Sequence, residues 1–70
     1  MTPLHPAIES LLRWFECGHL PAHLQEVVAP FRDLARQVAV RSPNNPETTV
    51  ALRKLLEGKD AAVRAAIARE

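Results

Sequence analysis

The sequence is poor in the residues that small domains commonly use to gain stability. Cys17 is the only cysteine among 70 residues, so the chain forms no internal disulfide. No cluster of cysteine and histidine has the spacing of zinc ligands. A domain of this size buries only about 60% of the surface that its unfolded chain exposes. Such domains usually need a disulfide, a metal or oligomerisation, and we therefore expect an oligomer.

Glycine and long apolar runs are also scarce. The only two glycines, Gly18 and Gly58, are far apart in the chain, which excludes a glycine-rich phosphate loop. No stretch approaches about 20 apolar residues, and no basic segment leads into an apolar run. We therefore predict no membrane association and expect a cytoplasmic protein.

The charges exclude some further classes of function. The chain has nine Lys and Arg residues and eight Asp and Glu residues, so its net charge is close to zero. Since no basic recognition helix is evident either, we predict no DNA binding. The three histidines lack a serine or cysteine and an acid at the spacing of a catalytic triad, and we predict no enzyme. His19 and His23 are four residues apart, but a metal site would need a third ligand such as Glu16 or Glu26. We predict no metal and no cofactor.

Apolar spacing predicts an all-α protein with three helices. The first helix is short, with Pro6 in its first turn and Gly18 at its end. The second follows Pro21 and keeps one face apolar for about four turns. Pro30 lies inside it, and we expect either a kink or a break into two pieces.

The third helix follows a turn over residues 42–46. Asn45 is predicted to cap it, with Pro46 at its first position. Gly58 interrupts its apolar face, which suggests close packing against another chain or a flexible point. Together the second and third helices predict a long antiparallel hairpin over about residues 21–68, within one domain over residues 1–70. Such a hairpin cannot bury its apolar stripe alone, which again favours an oligomer.

Polar residues on the hairpin suggest an anion site. Two arginines share a face of the second helix, and two further cations lie about two turns into the third, at matching levels of an antiparallel pair. Guanidinium groups suit phosphate oxygens, and hydroxyls at a helix N-terminus add donors. The candidates are Arg32, Arg36, Thr48, Thr49, Arg53 and Lys54. The alternative is a solvated face in which acidic residues alternate with basic ones, and the charge pattern alone favours it.

Several segments together resemble a known family. They are HLP (19–21), FRDLA (31–35), the proline-rich turn, ETTVALRKLLE (47–57) and AAVRAA (61–66). They resemble the helical hairpin domain of phage anti-CBASS and anti-Thoeris sponge proteins over roughly residues 17–68. The resemblance implies a non-catalytic homohexamer that sequesters cyclic oligonucleotides or cyclic ADP-ribose derivatives in the host cytoplasm. Dinucleotides would bind between protomers, and trinucleotides at separate three-fold pores.

The resemblance also suggests which residues contact the ligand. The segment containing His19 and Pro21 matches a family segment that contacts the base. The turn and the start of the third helix match the part that offers donors to phosphates, which adds to the case for the six polar candidates. Trp14 is either a core or interface residue or a further ligand contact. The alternative function is a protein–protein interaction module, in which the apolar face docks onto a helix of a phage or host partner.

Overall fold

The computed structural model describes residues 3–68, and every regular element within that range is helical. Helix α1 spans Pro6–Leu12 and continues as a 3₁₀ turn over Arg13–Phe15. Helix α2 spans Ala22–Arg41, and helix α3 spans Pro46–Ala68. The predicted all-helical fold, with a short first helix and two longer ones, is confirmed.

Two hydrogen bonds of His5 fix the start of α1. The Nδ1 atom of His5 accepts a hydrogen bond from the Ala7 N–H at 3.1 Å and caps the helix. The His5 N–H donates to the Pro43 carbonyl at 2.9 Å, which ties the start of α1 to the turn before α3. Helical structure ends at Phe15, earlier than the predicted end at Gly18.

Helix α2 is continuous through Pro30, so it does not break into two pieces. The proline ring removes one backbone donor, which would weaken an isolated helix at this point. Packing compensates for this loss, because Val28 before the proline and Ala35 after it are both buried.

The predicted start of α3 is confirmed. The Asn45 side-chain oxygen accepts a hydrogen bond from the Glu47 N–H at 2.9 Å, and Pro46 is the first helical residue. Asparagine suits this position because its side chain satisfies a backbone donor that has no partner inside the helix.

A small core joins the three helices. Helix α1 and the 3₁₀ turn contribute three large apolar side chains to this core. Helix α2 contributes alanines, whose small side chains allow the helices to approach closely. The buried cluster consists of Ile8, Leu11, Phe15, Ala35, Ala39 and Leu52. A Cβ atom on Gly58 would lie 3.4 Å from Cε1 of Phe31, so Gly58 faces Phe31 of its own chain at a distance that leaves room for a methyl group. The expectations that Gly58 packs against another chain or marks a flexible point stay predictions.

The molecule is elongated, with extents of 42 × 20 × 15 Å. Its accessible surface is 4987 Å², whereas a compact protein of this mass exposes about 4,400 Å². Part of the additional surface is apolar, from Trp14, Leu34, Val40, Val50 and Ile67. Among residues 3–68, no helix combines the length and hydropathy needed to cross a membrane.

Candidate ligand-binding site

The two threonine candidates already donate hydrogen bonds within the chain. Thr48 is only 5% exposed, and its hydroxyl donates to the Ser42 carbonyl at 2.7 Å. The Thr49 hydroxyl donates to the Pro46 carbonyl at 2.6 Å and is more accessible. In this arrangement each hydroxyl can accept a hydrogen bond from a ligand but has no free hydrogen to donate to a phosphate. Thr48 therefore connects the turn to α3.

Arg32 is held by two neighbours. Its Nε and Nη2 atoms each lie 3.2 Å from Asp33 Oδ1, and its Nη1 atom lies 3.3 Å from the sulfur of Cys17. The hydrogen bond with Asp33 raises the pKa of the Arg32 guanidinium, which is charged at neutral pH in any case. Cys17 is buried, so the arginine covers a thiol that solvent does not reach.

The other three candidate cations, Arg36, Arg53 and Lys54, have weak partners or none within residues 3–68. Arg36 lies 3.9 Å from a Glu16 oxygen, and Lys54 lies 3.9 Å from a Glu57 oxygen. All four of these side chains are more than half exposed. Exposed pairs of this kind contribute about 0–1 kcal/mol. Arg53 is exposed and forms no ion pair within residues 3–68. These cations can exchange their present partners for a ligand phosphate.

His19 and Pro21 lie in the connection between the 3₁₀ turn and α2, and both are exposed. The Pro21 carbonyl accepts hydrogen bonds from the N–H groups of Leu24 and Gln25, each at 3.0 Å, and so forms the first turn of α2. His19 lines a groove that the sequence did not predict. Within one chain, the structure therefore does not gather the eight candidates into a single site.

The groove beside His19, which we call the basic groove, has a volume of about 490 Å³. One side of the groove is formed by residues 13–20, which follow α1, and the other by residues 59–64 in the second half of α3. Its lining consists of Arg13, Trp14, Glu16, His19, Leu20, Val28, Lys59, Asp60, Val63 and Arg64. Sequence reasoning missed its cations, because residues 13–20 and 59–64 meet only through the tertiary fold. His19 and Trp14, both named from the sequence as possible ligand contacts, are the signals that pointed here.

A smaller cavity of about 300 Å³ lies at the opposite end, near the turn. It includes His5, Asn45 and Thr49, and its surface is mostly apolar. Across the part of the chain that the structure describes, no three His, Cys, Asp or Glu side chains are close enough to hold a metal ion.

Comparison with known proteins adds no relative. No family model, curated protein or solved structure matches the chain. The resemblance to the sponge family therefore stays a prediction from the sequence segments given above.

Proposed function

We propose that the protein is a phage immune-evasion sponge, which binds cyclic oligonucleotide or cyclic ADP-ribose-type second messengers of CBASS or Thoeris defence without degrading them. The observation that carries this proposal is the weak pairing of Arg36, Arg53 and Lys54 on the two long helices. Cations that form no strong ion pair within residues 3–68 are available to phosphate. Such a protein inhibits signalling by mass action, so affinity and abundance replace turnover.

The proposal includes an antiparallel hairpin of α2 and α3. Two contacts support it. Ser42 at the end of α2 binds Thr48 at the start of α3, and Phe31 in the middle of α2 faces Gly58, ten residues further along α3. Residues earlier in α2 thus meet residues later in α3, as antiparallel helices require.

The proposal also includes a homo-oligomer, for which a hexamer is the expected form. Each long helix carries a row of small or apolar residues at spacings i, i+4, i+7 and i+11, and the Phe31–Gly58 contact brings the two rows side by side. None of these residues is fully buried in the single chain. We call this surface the apolar face. It consists of Val27, Phe31, Leu34 and Val38 on α2 and Ala51, Leu55, Gly58 and Ala62 on α3.

Joining copies through the apolar face would remove this surface from water, which is favourable by about 25 cal/mol per Å² of apolar area. It would also bring cations of neighbouring protomers together. The scattered positions of Arg36, Arg53 and Lys54 in one chain then become compatible with a shared pocket, because symmetry repeats each cation around the assembly.

Calorimetric titration of the purified protein with cyclic dinucleotides, cyclic trinucleotides and cyclic ADP-ribose isomers tests the function. We expect tight binding of at least one class and a molar mass in light scattering of six times the 7.8 kDa chain. No binding at micromolar concentration across the whole panel contradicts the proposal.

Two substitutions test the residues. We expect Arg53→Ala and Lys54→Ala each to weaken ligand capture without changing the mass of the oligomer. Arg41→Ala is the matched control, since it removes an exposed cation outside the candidate set. If both variants bind as tightly as the unchanged protein, these two residues do not form the site.

The second candidate function is a protein–protein interaction module, which the partly exposed apolar face also favours. In that case the face would pack against a helix of a phage or host partner instead of a second copy. A purified protein that stays monomeric and binds no cyclic nucleotide favours this alternative over the sponge.

A further inference from the structure

The basic groove contains two cations, Arg13 and Arg64, that form no ion pair among the described residues. Lys59 is mostly buried and lies 2.8 Å from Asp60, so its charge is compensated. Arg13 and Arg64 form no ion pair within residues 3–68, although both line the groove. Glu16 lies 3.9 Å from Arg36 and is held only loosely. Two guanidinium groups are therefore free to meet an anion, with His19 as a further polar contact.

The groove also contains an aromatic surface that the fold leaves open. Trp14 is 66% exposed, whereas its neighbour Phe15 is fully buried in the core. The 3₁₀ turn explains the difference, since burial of one ring directs the adjacent side chain outwards. A wide indole face in a groove that cations, Leu20 and Val63 also line is suited to stacking on a flat ring.

The size of the groove agrees with this chemistry. Sites for small molecules have volumes of about 300–1,000 Å³ and combine an apolar lining with a few polar groups. At about 490 Å³ the basic groove is within that range. Apolar lining residues, one exposed aromatic ring and two guanidinium groups together match a ligand that joins an aromatic base to a phosphate.

We propose that the basic groove is a binding site for the nucleotide unit of such a ligand. The base stacks on Trp14, and a phosphate oxygen pair meets the planar guanidinium groups of Arg13 and Arg64, which donate two hydrogen bonds in one plane. This inference rests on the proposed function and names the residues that would hold one nucleotide unit of the ligand. His19 is the only residue of the sequence-predicted set that lines the groove.

Trp14 is the sole tryptophan, so its fluorescence reports directly on the groove. The test titrates the unchanged protein with cyclic di- and trinucleotides while following tryptophan emission and heat in parallel. We expect quenching that saturates with the same midpoint as the calorimetric curve. Trp14→Ala should lower affinity roughly 5- to 150-fold, the range for one base–aromatic stack. Trp14→Phe should retain most of the affinity, because it keeps an aromatic face.

Arg64→Ala should lower affinity by about tenfold or more, as loss of a charged hydrogen bond does, while Arg41→Ala should leave it unchanged. Circular dichroism and light scattering of each variant check the fold and the oligomer. Heat of binding without a change in emission, or normal affinity in both Trp14→Ala and Arg64→Ala, overturns the groove assignment and leaves the sponge function intact. Dissociation of the oligomer in Trp14→Ala also overturns it, because the groove is then a subunit interface. Absence of heat with every ligand contradicts the proposed function itself.

Discussion

Replacing Thr48 by valine separates a structural role for this residue from a role in ligand binding. The substitution preserves the shape of the side chain but removes the hydroxyl that donates to the Ser42 carbonyl at 2.7 Å. Because Thr48 is only 5% exposed, water cannot readily replace the lost donor. We expect the free energy of unfolding to fall by about 1–2 kcal/mol. In a domain of this size, each kcal/mol lowers the melting temperature by roughly 4–8 °C.

Thr49→Val is the matched control, because it makes the same chemical change one residue later in the same helix. The intrinsic helix preferences of threonine and valine are similar, so they do not separate the two variants. The Thr49 hydroxyl donates to Pro46 at an exposed position, where water can take its place. We expect a change within about 0.5 kcal/mol.

Urea unfolding followed by far-ultraviolet circular dichroism measures both variants, at one fixed protein concentration because oligomers unfold in a concentration-dependent way. Equal stability of Thr48→Val and Thr49→Val would refute the assignment of Thr48 as the connection between turn and helix. A large loss of ligand affinity in a fully stable Thr48→Val variant would instead place the hydroxyl at the ligand.

Two other substitutions test how the long helices are built. Gly58→Ala should stabilise the protein by about 0.5–1 kcal/mol, because alanine favours the helix more than glycine does. The added Cβ would lie 3.4 Å from Phe31, an ordinary contact distance. A loss of stability in thermal unfolding would show that the contact is already too tight. Asn45→Ala should destabilise the protein by about 0.5–2 kcal/mol through loss of the cap on α3. Asn44→Ala is its control, because Asn44 lies in the same turn and its side chain forms no hydrogen bond within residues 3–68. Equal effects of the two changes in urea unfolding would argue against the cap.

The features that could be predicted from the sequence depend on near neighbours in the chain. The start of α3 needs only Asn45, Pro46 and the amide groups that follow, so the cap was predicted correctly. The helical class follows from apolar spacing in the same way. Pro30 shows the limit of local reasoning, because local chemistry allowed a break in α2 that packing on both sides of the proline prevents.

The candidate site depends on distant parts of the chain, and this explains why it was only partly predicted. His19 was expected to contact a ligand, but Arg13 and Arg64 were not, because they become neighbours only when α3 packs beside the 3₁₀ turn. Thr48 was expected to face a ligand. A residue in the first turn of a helix can point outwards or towards the preceding turn, and only the fold selects the second arrangement.

Two segments that line the basic groove are anchored to the rest of the chain without a ligand. Phe15 is fully buried and anchors the turn that presents Trp14. The Gln25 side chain donates to the Leu20 carbonyl at 2.6 Å and holds the connection that carries His19. A site whose groups are ordered in advance loses less conformational entropy when its ligand binds, so more of the contact energy appears as affinity. In the proposed sponge, which would inhibit only through the ligand that it retains, such anchored segments would let few contacts give a high affinity.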